Sequence, residues 1–294
     1  MHLAALKCVV ALYEHDPGLD ISTVCLMKEV ADEALKLSEI ESVFALVIGN
    51  LRDRYGQAVD PDKTRLRLAT KVRQDAIEVE THYRNTRSAH DLHSAIALAT
   101  NALDLSPDGF MKAISRELLG RCLFERYMID GNLADIDDAV GLLLESNDGL
   151  SEDEFLIPTN LANLGYILTI RYERTRTPAD LDVGIDAIAL TVDRATGPHG
   201  RQVFWWANLA NALRLRSKSL RGDSSDLQEA QRLYNETLAA TPASWPEHGA
   251  FKANLANIEF DLAMAENDLT PAALEQHVGR LRDAATYAKD LPFP

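Results

Sequence analysis

Six asparagines are the residues whose type and spacing most suggest chemistry. The tetrapeptide Asn-Leu-Ala-Asn occurs three times, at Asn160–Asn163, Asn208–Asn211 and Asn254–Asn257, in steps of 48 and 46 residues. Within each copy the two asparagines are three apart, which places them on one face of a helix. A side-chain amide both donates and accepts. Such a face can bond the backbone of an extended peptide, or it can bond neighbouring helices and fix their stacking. Phe204, four residues before Asn208, shares the face. It is either an apolar anchor for a ligand, as aromatics often are at binding hot spots, or a packing residue. Trp206 reads as core, whereas Trp205 points elsewhere and could mark a second surface.

The other reactive residue types read as structural. His90 and His93 have a spacing that can hold a metal on a helix. His90, however, is expected just before the helix start, so the rings need not converge. Cys122 falls inside an apolar helical pattern, Glu117–Tyr127, and reads as a buried thiol. The acids of Glu152-Asp153-Glu154 and Asp135, Asp137 and Asp138 complement helix N-termini or lie on solvated faces. No GxSxG, Walker loop, HExxH or dinucleotide fingerprint occurs. The expectation is no catalytic residue, no metal and no cofactor.

Composition narrows the class. The 294 residues carry a formal charge of −15, which disfavours nucleic acid and anionic membranes as partners. Hydrophobic residues make up 46%, enough for a core, and aromatics only 6%, which argues against a β-sandwich or barrel. Leu3–Tyr13 is apolar but contains Lys7 and is far shorter than the ~20 residues that span a bilayer. Three widely spaced cysteines, Cys8, Cys25 and Cys122, with no CxxC pair, fit a reducing compartment. The reading is a cytoplasmic protein.

The elements that must position the asparagines follow from a second repeat marker. An Asp followed by Leu or Ile, with a small residue four positions on, recurs as Asp91 with Ala95, Asp135 with Ala139, Asp180 with Gly184, and Asp226 with Ala230. Ala273-Leu274 is a degenerate fifth copy, and an aromatic lies eight before the Asp at Tyr83, Tyr127 and Tyr172. Two markers in one phase imply a helical repeat. Leu161, Leu164, Leu168 and Tyr172 form the stripe of a first helix. The second helix begins at the Asp, read as its N-cap. The small residue lets the two helices approach closely. Ser106–Gly109, Gly197-Pro198 and Thr241–Pro246 break the chain between repeats. Residues 61–294 thus read as one continuous array, with 1–60 a divergent helical cap of the same solenoid.

This pattern resembles the tetratricopeptide (TPR) repeat. Asn160-Leu161-Ala162-Asn163 is similar to the quartet of TPR first helices, and Ala95, Ala139, Gly184 and Ala230 match the small residue of the second. The segments Gly131–Val140 and Arg171–Thr175, with loops ending in His199 and His248, resemble a long-period subfamily often found upstream of CHAT protease or other signalling domains. The third copy departs, with Ser219-Leu220 standing where Arg171-Tyr172 stood. The resemblance implies an all-α, right-handed α-solenoid of TPR-like helix pairs whose first helices line a concave groove. Asn160, Asn163, Asn208, Asn211, Asn254, Asn257 and Phe204 would then face that groove. The expected function is a non-enzymatic scaffold binding a neutral or basic protein or peptide segment. The alternatives are a regulatory or assembly segment of a larger signalling protein, and an enzyme with a small-molecule pocket.

Overall fold

The computed structural model describes residues 61–150, 157–194, 202–221, 224–266 and 270–289. The expected N-terminal cap, 1–60, lies outside them, as do Cys8, Cys25, Gly197-Pro198 and His199. The described chain is all-α, with ten α-helices packed as neighbouring pairs and no strand. It falls into two compact units, Met1–Glu154 and Phe155–Pro294. The first holds α1 (Pro61–Thr86), α2 (Ala89–Leu105), α3 (Phe110–Asp130) and α4 (Leu133–Asp148). The second holds α5 (Ile157–Thr175), α6 (Pro178–Arg194), α7 (Gln202–Arg216), α8 (Ser224–Ala240), α9 (His248–Ala265) and α10 (Pro271–Lys289). A π-helical turn, Ser217–Arg221, continues α7.

Four of the five pairs close through the marker Asp, but not as an N-cap. Asp91, Asp135, Asp180 and Asp226 are the third residues of their helices. The caps stand three residues earlier: Ser88 accepts from the Asp91 amide, and Asn132 accepts from Ala134. Thr270 accepts in the same way from the Ala273 amide. The marker Asp is freed for another partner. Arg126 grips Asp135 through two bonds of 2.6 Å, and Arg171 grips Asp180 at 2.7 and 2.8 Å. Arg216 holds Asp226 through two bonds of 2.8 Å. A guanidinium fork matches a carboxylate in plane, which makes this clasp directional as well as charged. In the first pair His82 takes the arginine's place, its Nδ1 lying 2.8 Å from Asp91.

The clasps correct the alignment of the third copy. Arg216-Ser217, not Ser219-Leu220, occupy the place of Arg171-Tyr172. The clasp spacing is 9 residues in two pairs and 10 here. The π-helical turn absorbs the extra residue, because a π turn adds one residue to an α-helical turn.

Tyr83, Tyr127 and Tyr172 are buried just before the turns. Their carbonyls accept from Arg87, Gly131 and Arg176, at 2.7, 2.8 and 2.8 Å. All three donor residues have positive φ, an αL helix ending that glycine adopts freely and arginine only against strain. At Arg87 and Arg176 the guanidinium lies over the tyrosine ring at 5.6 and 5.7 Å, which offsets that strain.

The helix crossing is tightest in α5/α6. A Cβ on Gly165 would sit 2.5 Å from the Gly184 carbonyl and 2.4 Å from Ile188 Cγ1. In α3/α4 a Cβ on Gly120 would meet the Ala139 carbonyl at 3.2 Å. Ala95 and Ala230 are likewise fully buried at this position of their pairs. The core of the second unit spreads from these crossings to Leu181, Ile188, Leu209, Leu213, Leu233, Tyr234 and Ile258. Trp206 is partly buried against it, as expected.

Candidate functional site

The clasps and crossings also set the register of the asparagines. Gly165 lies six residues before Arg171, and the fully buried Ala210 lies six before Arg216. In α9 the matching crossing residue is Ala256, whose carbonyl lies 3.1 Å from His277 Nδ1, four residues after marker position 273. Two positions before these crossing residues stand Asn163, Asn208 and Asn254. One position after them stand Tyr166, Asn211 and Asn257. The first quartet is therefore displaced by three residues from the other two, so Asn160 is not the counterpart of Asn208. Asn160 is buried, at 2% exposure. Its equivalents are Trp205 in α7 and Phe251 in α9. The equivalent column is Asn163–Asn208–Asn254, one residue per pair and half-buried throughout.

Part of this set holds helices together. The buried Tyr234 hydroxyl of α8 donates to Asn211 Oδ1 at 2.8 Å and accepts from Asn254 Nδ2 at 2.9 Å. One phenol thereby links α7, α8 and α9. Burial pushes its pKa up to about 12, so it stays a neutral donor. Asn211 keeps its amide NH₂ and Asn254 its carbonyl oxygen for other bonds. Asn257 is half-buried and Asn211 exposed.

Phe204 is 38% exposed and stacks on Trp245 with centroids 6.2 Å apart. It meets the edge of Phe251 at 6.1 Å, and Phe251 in turn touches Tyr234 at 6.3 Å. Spacing alone does not single out this aromatic run from the α8–α9 loop to α9, because Trp245 lies 41 residues from Phe204. At its base His248 is buried with Nδ1 3.3 Å from Thr241 Oγ1, and burial lowers its pKa.

The first unit has different chemistry between its first helices. Glu80 of α1 is buried and holds Arg84 at 2.7 Å and Arg121 of α3 at 2.9 Å. Tyr83 donates to Glu125 of α3 at 3.4 Å, and Arg87 lies 3.6 Å from the same carboxylate. Cys122 is fully buried beside this network, and burial raises its pKa to about 12, which makes it a poor nucleophile. His90 and His93 are both exposed, and His90 is already helical, in the first turn of α2. Among the described residues no group of three His, Cys, Asp or Glu side chains converges as a metal site. Among them, too, no helix is long and apolar enough to cross a membrane.

No family model and no curated protein matches this chain. Solved structures do. A putative kinesin light chain of Podosopora anserina, described as having nearly identical TPR-like repeats, superposes with TM-score 0.50 at 13% identity, covering 76% of this chain and 99% of that one. A single-substitution form of that protein gives TM-score 0.51 at 14% identity, covering 76% and 98%. The nuclear import adaptor Nro1 of S. pombe aligns over 100% of this chain and 97% of its own at 15% identity, but with TM-score 0.38. At these identities the likeness bears on architecture alone, and it assigns this chain a TPR-like helical-repeat fold.

Proposed function

We propose that this protein is a non-enzymatic interaction scaffold that holds an extended polypeptide segment against the first helices of its second unit. The observation that carries the reading is the column Asn163–Asn208–Asn254, with Asn211 and Asn257 beside it. It offers side-chain amides at the repeat interval along α5, α7 and α9. An extended segment presents donors and acceptors along its backbone, and amides can bond either kind without reading sequence. Phe204, stacked on Trp245, supplies the apolar anchor that would favour a particular side chain. Asn160 is buried and serves packing in this reading, not the ligand.

The partner segment is neutral in this stretch, or weakly basic. The acidic surplus sits on the second helices, as in α6 with Asp180, Asp182, Asp186 and Asp193 against Arg194 alone. Arg171, Arg214 and Arg216 on the first helices are already engaged with Asp180, Asp261 and Asp226.

The test is a random-peptide display selection on the full chain, followed by affinity measurement for Asn208→Ala/Asn257→Ala and Phe204→Ala, each checked for fold by circular dichroism. The expected result is a roughly tenfold or greater loss for either variant, matching a truncated hot-spot contact of about 1.4 kcal/mol or more. Peptides that bind all three forms equally would place the site elsewhere.

A further inference from the structure

The second helix of a pair is normally covered on its outer side by the first helix of the next: α2 by α3, α6 by α7, and α8 by α9. Among the described residues no helix covers α10 in this way. The consequence shows at matched positions. Leu227, one after the marker Asp226, is 3% exposed in α8, whereas Leu274, one after Ala273, is 49% exposed in α10. Val278 is 37% exposed, Leu281 is half-buried and Ala285 is exposed. Leu274, Val278, Leu281 and Ala285 follow steps of four, three and four, the spacing of a helix-packing stripe.

One flank of this stripe carries Glu275 and Arg282, both exposed and seven residues apart. Between them lies Gly279. Its φ is not positive, and a Cβ there would meet nothing within 4 Å, so nothing within the described chain requires glycine in mid-helix. A second helix approaching along the stripe would use that space.

We propose that the outer face of α10 is a contact between two copies of this chain, with the two α10 helices antiparallel. The pattern of charge selects this occupant. About a two-fold axis near Gly279, Glu275 of each copy meets Arg282 of the other, giving two ion pairs from one sequence. A parallel alignment sets each charge level with its own kind. Val278 then packs across Leu281, and Leu274 across Ala285. A single helix face buries less than the ~1,200 Å² of a stable interface, so the dimer is weak and concentration-dependent.

Sedimentation of the full chain over a concentration series tests this. A monomer–dimer equilibrium is expected, weakened at least about tenfold in Glu275→Arg and in Arg282→Glu, where like charges meet twice. Mixing those two variants restores dimerisation as a heterodimer, and the doubly swapped chain restores it alone. Circular dichroism confirms that each variant is folded. A wild-type chain that stays monomeric at its highest soluble concentration overturns the proposal. So do single variants that dimerise like wild type, or a mixture that does not recover.

Discussion

The two units join neighbouring pairs by different means, while in both an arginine–aspartate clasp closes helix pairs. Between α1 and α3 the first unit uses carboxylates and guanidinium groups: Glu80 with Arg121, and Glu125 with Tyr83 and Arg87. Between α7 with its π turn and α9 the second unit uses rings and amides, Phe204 on Phe251 and Asn211–Tyr234–Asn254, with Asp261 paired to both Arg214 and Lys218. Within the pairs, however, the clasp and the small crossing residue recur in four of five, and the buried tyrosine in three. Pair closure is thus the repeated unit, and the contact between pairs is free to vary. In the second unit that freedom leaves amides and a ring partly exposed. In the first unit it goes into a charge network around the buried Glu80.

Breaking the closest crossing gives the largest expected effect. Gly165→Ala puts a methyl against backbone at Gly184 and should cost about 3 kcal/mol in denaturant unfolding, net of the better helix propensity of alanine. Gly120→Ala meets its neighbour at 3.2 Å and should cost about 1 kcal/mol or less. Equal costs would mean that the two crossings are not equally rigid. Next come the clasps. Arg171→Ala leaves the nearly buried Asp180 carboxylate without its fork and should cost about 2 kcal/mol. His82→Ala, whose ring is 65% exposed, should change stability much less.

Contacts between pairs separate the units by chemistry. Tyr234→Phe removes the bridge and leaves two amides short of a partner, for about 1–2 kcal/mol, insensitive to salt. Glu80→Gln should cost a similar amount, about 1–2 kcal/mol, because the buried Glu80 site then offers no charge to Arg84 and Arg121, and Arg121 keeps only Glu117, at 3.1 Å. A salt-dependent Tyr234→Phe would break the contrast.

The smallest effects are those of pH. Burial depresses the folded pKa of His248, so its neutral form is favoured. Its contribution is present above the unfolded range near 6.5 and is lost as pH falls through the folded value. His248→Gln should flatten the fall in melting temperature from neutral to mildly acidic pH. In the first unit the His82 hydrogen bond holds Asp91 below the usual carboxylate range. That contribution is lost only as pH falls below about 4.

Much of the pair structure is legible in the chain. Helix-period leucines, the Asp marker, the small residue four later and the tyrosine eight before it are short-range features, and each lies where its spacing puts it. The role of the Asp is easily misread, because an Asp at a helix start suits both a cap and a first-turn partner for a cation. The separate cap residues, Ser88, Asn132 and Thr270, and the clasp arginines nine or ten before the Asp, are signals that the chain itself carries.

The repeated quartet misleads in another way. Identical letters at Asn160 and Asn208 imply equivalent places only if each quartet stands at the same distance from its clasp arginine, and Asn160 lies 11 residues before Arg171 whereas Asn208 lies 8 before Arg216. Sequence alone determined that this is an all-α repeat of helix pairs, because periodicity and turn chemistry are local. Which asparagines align, that Tyr234 ties two of them, and that Trp245 backs Phe204 were decided by the tertiary structure. These contacts join residues 20 to 41 positions apart, and only the register of packed helices brings them together.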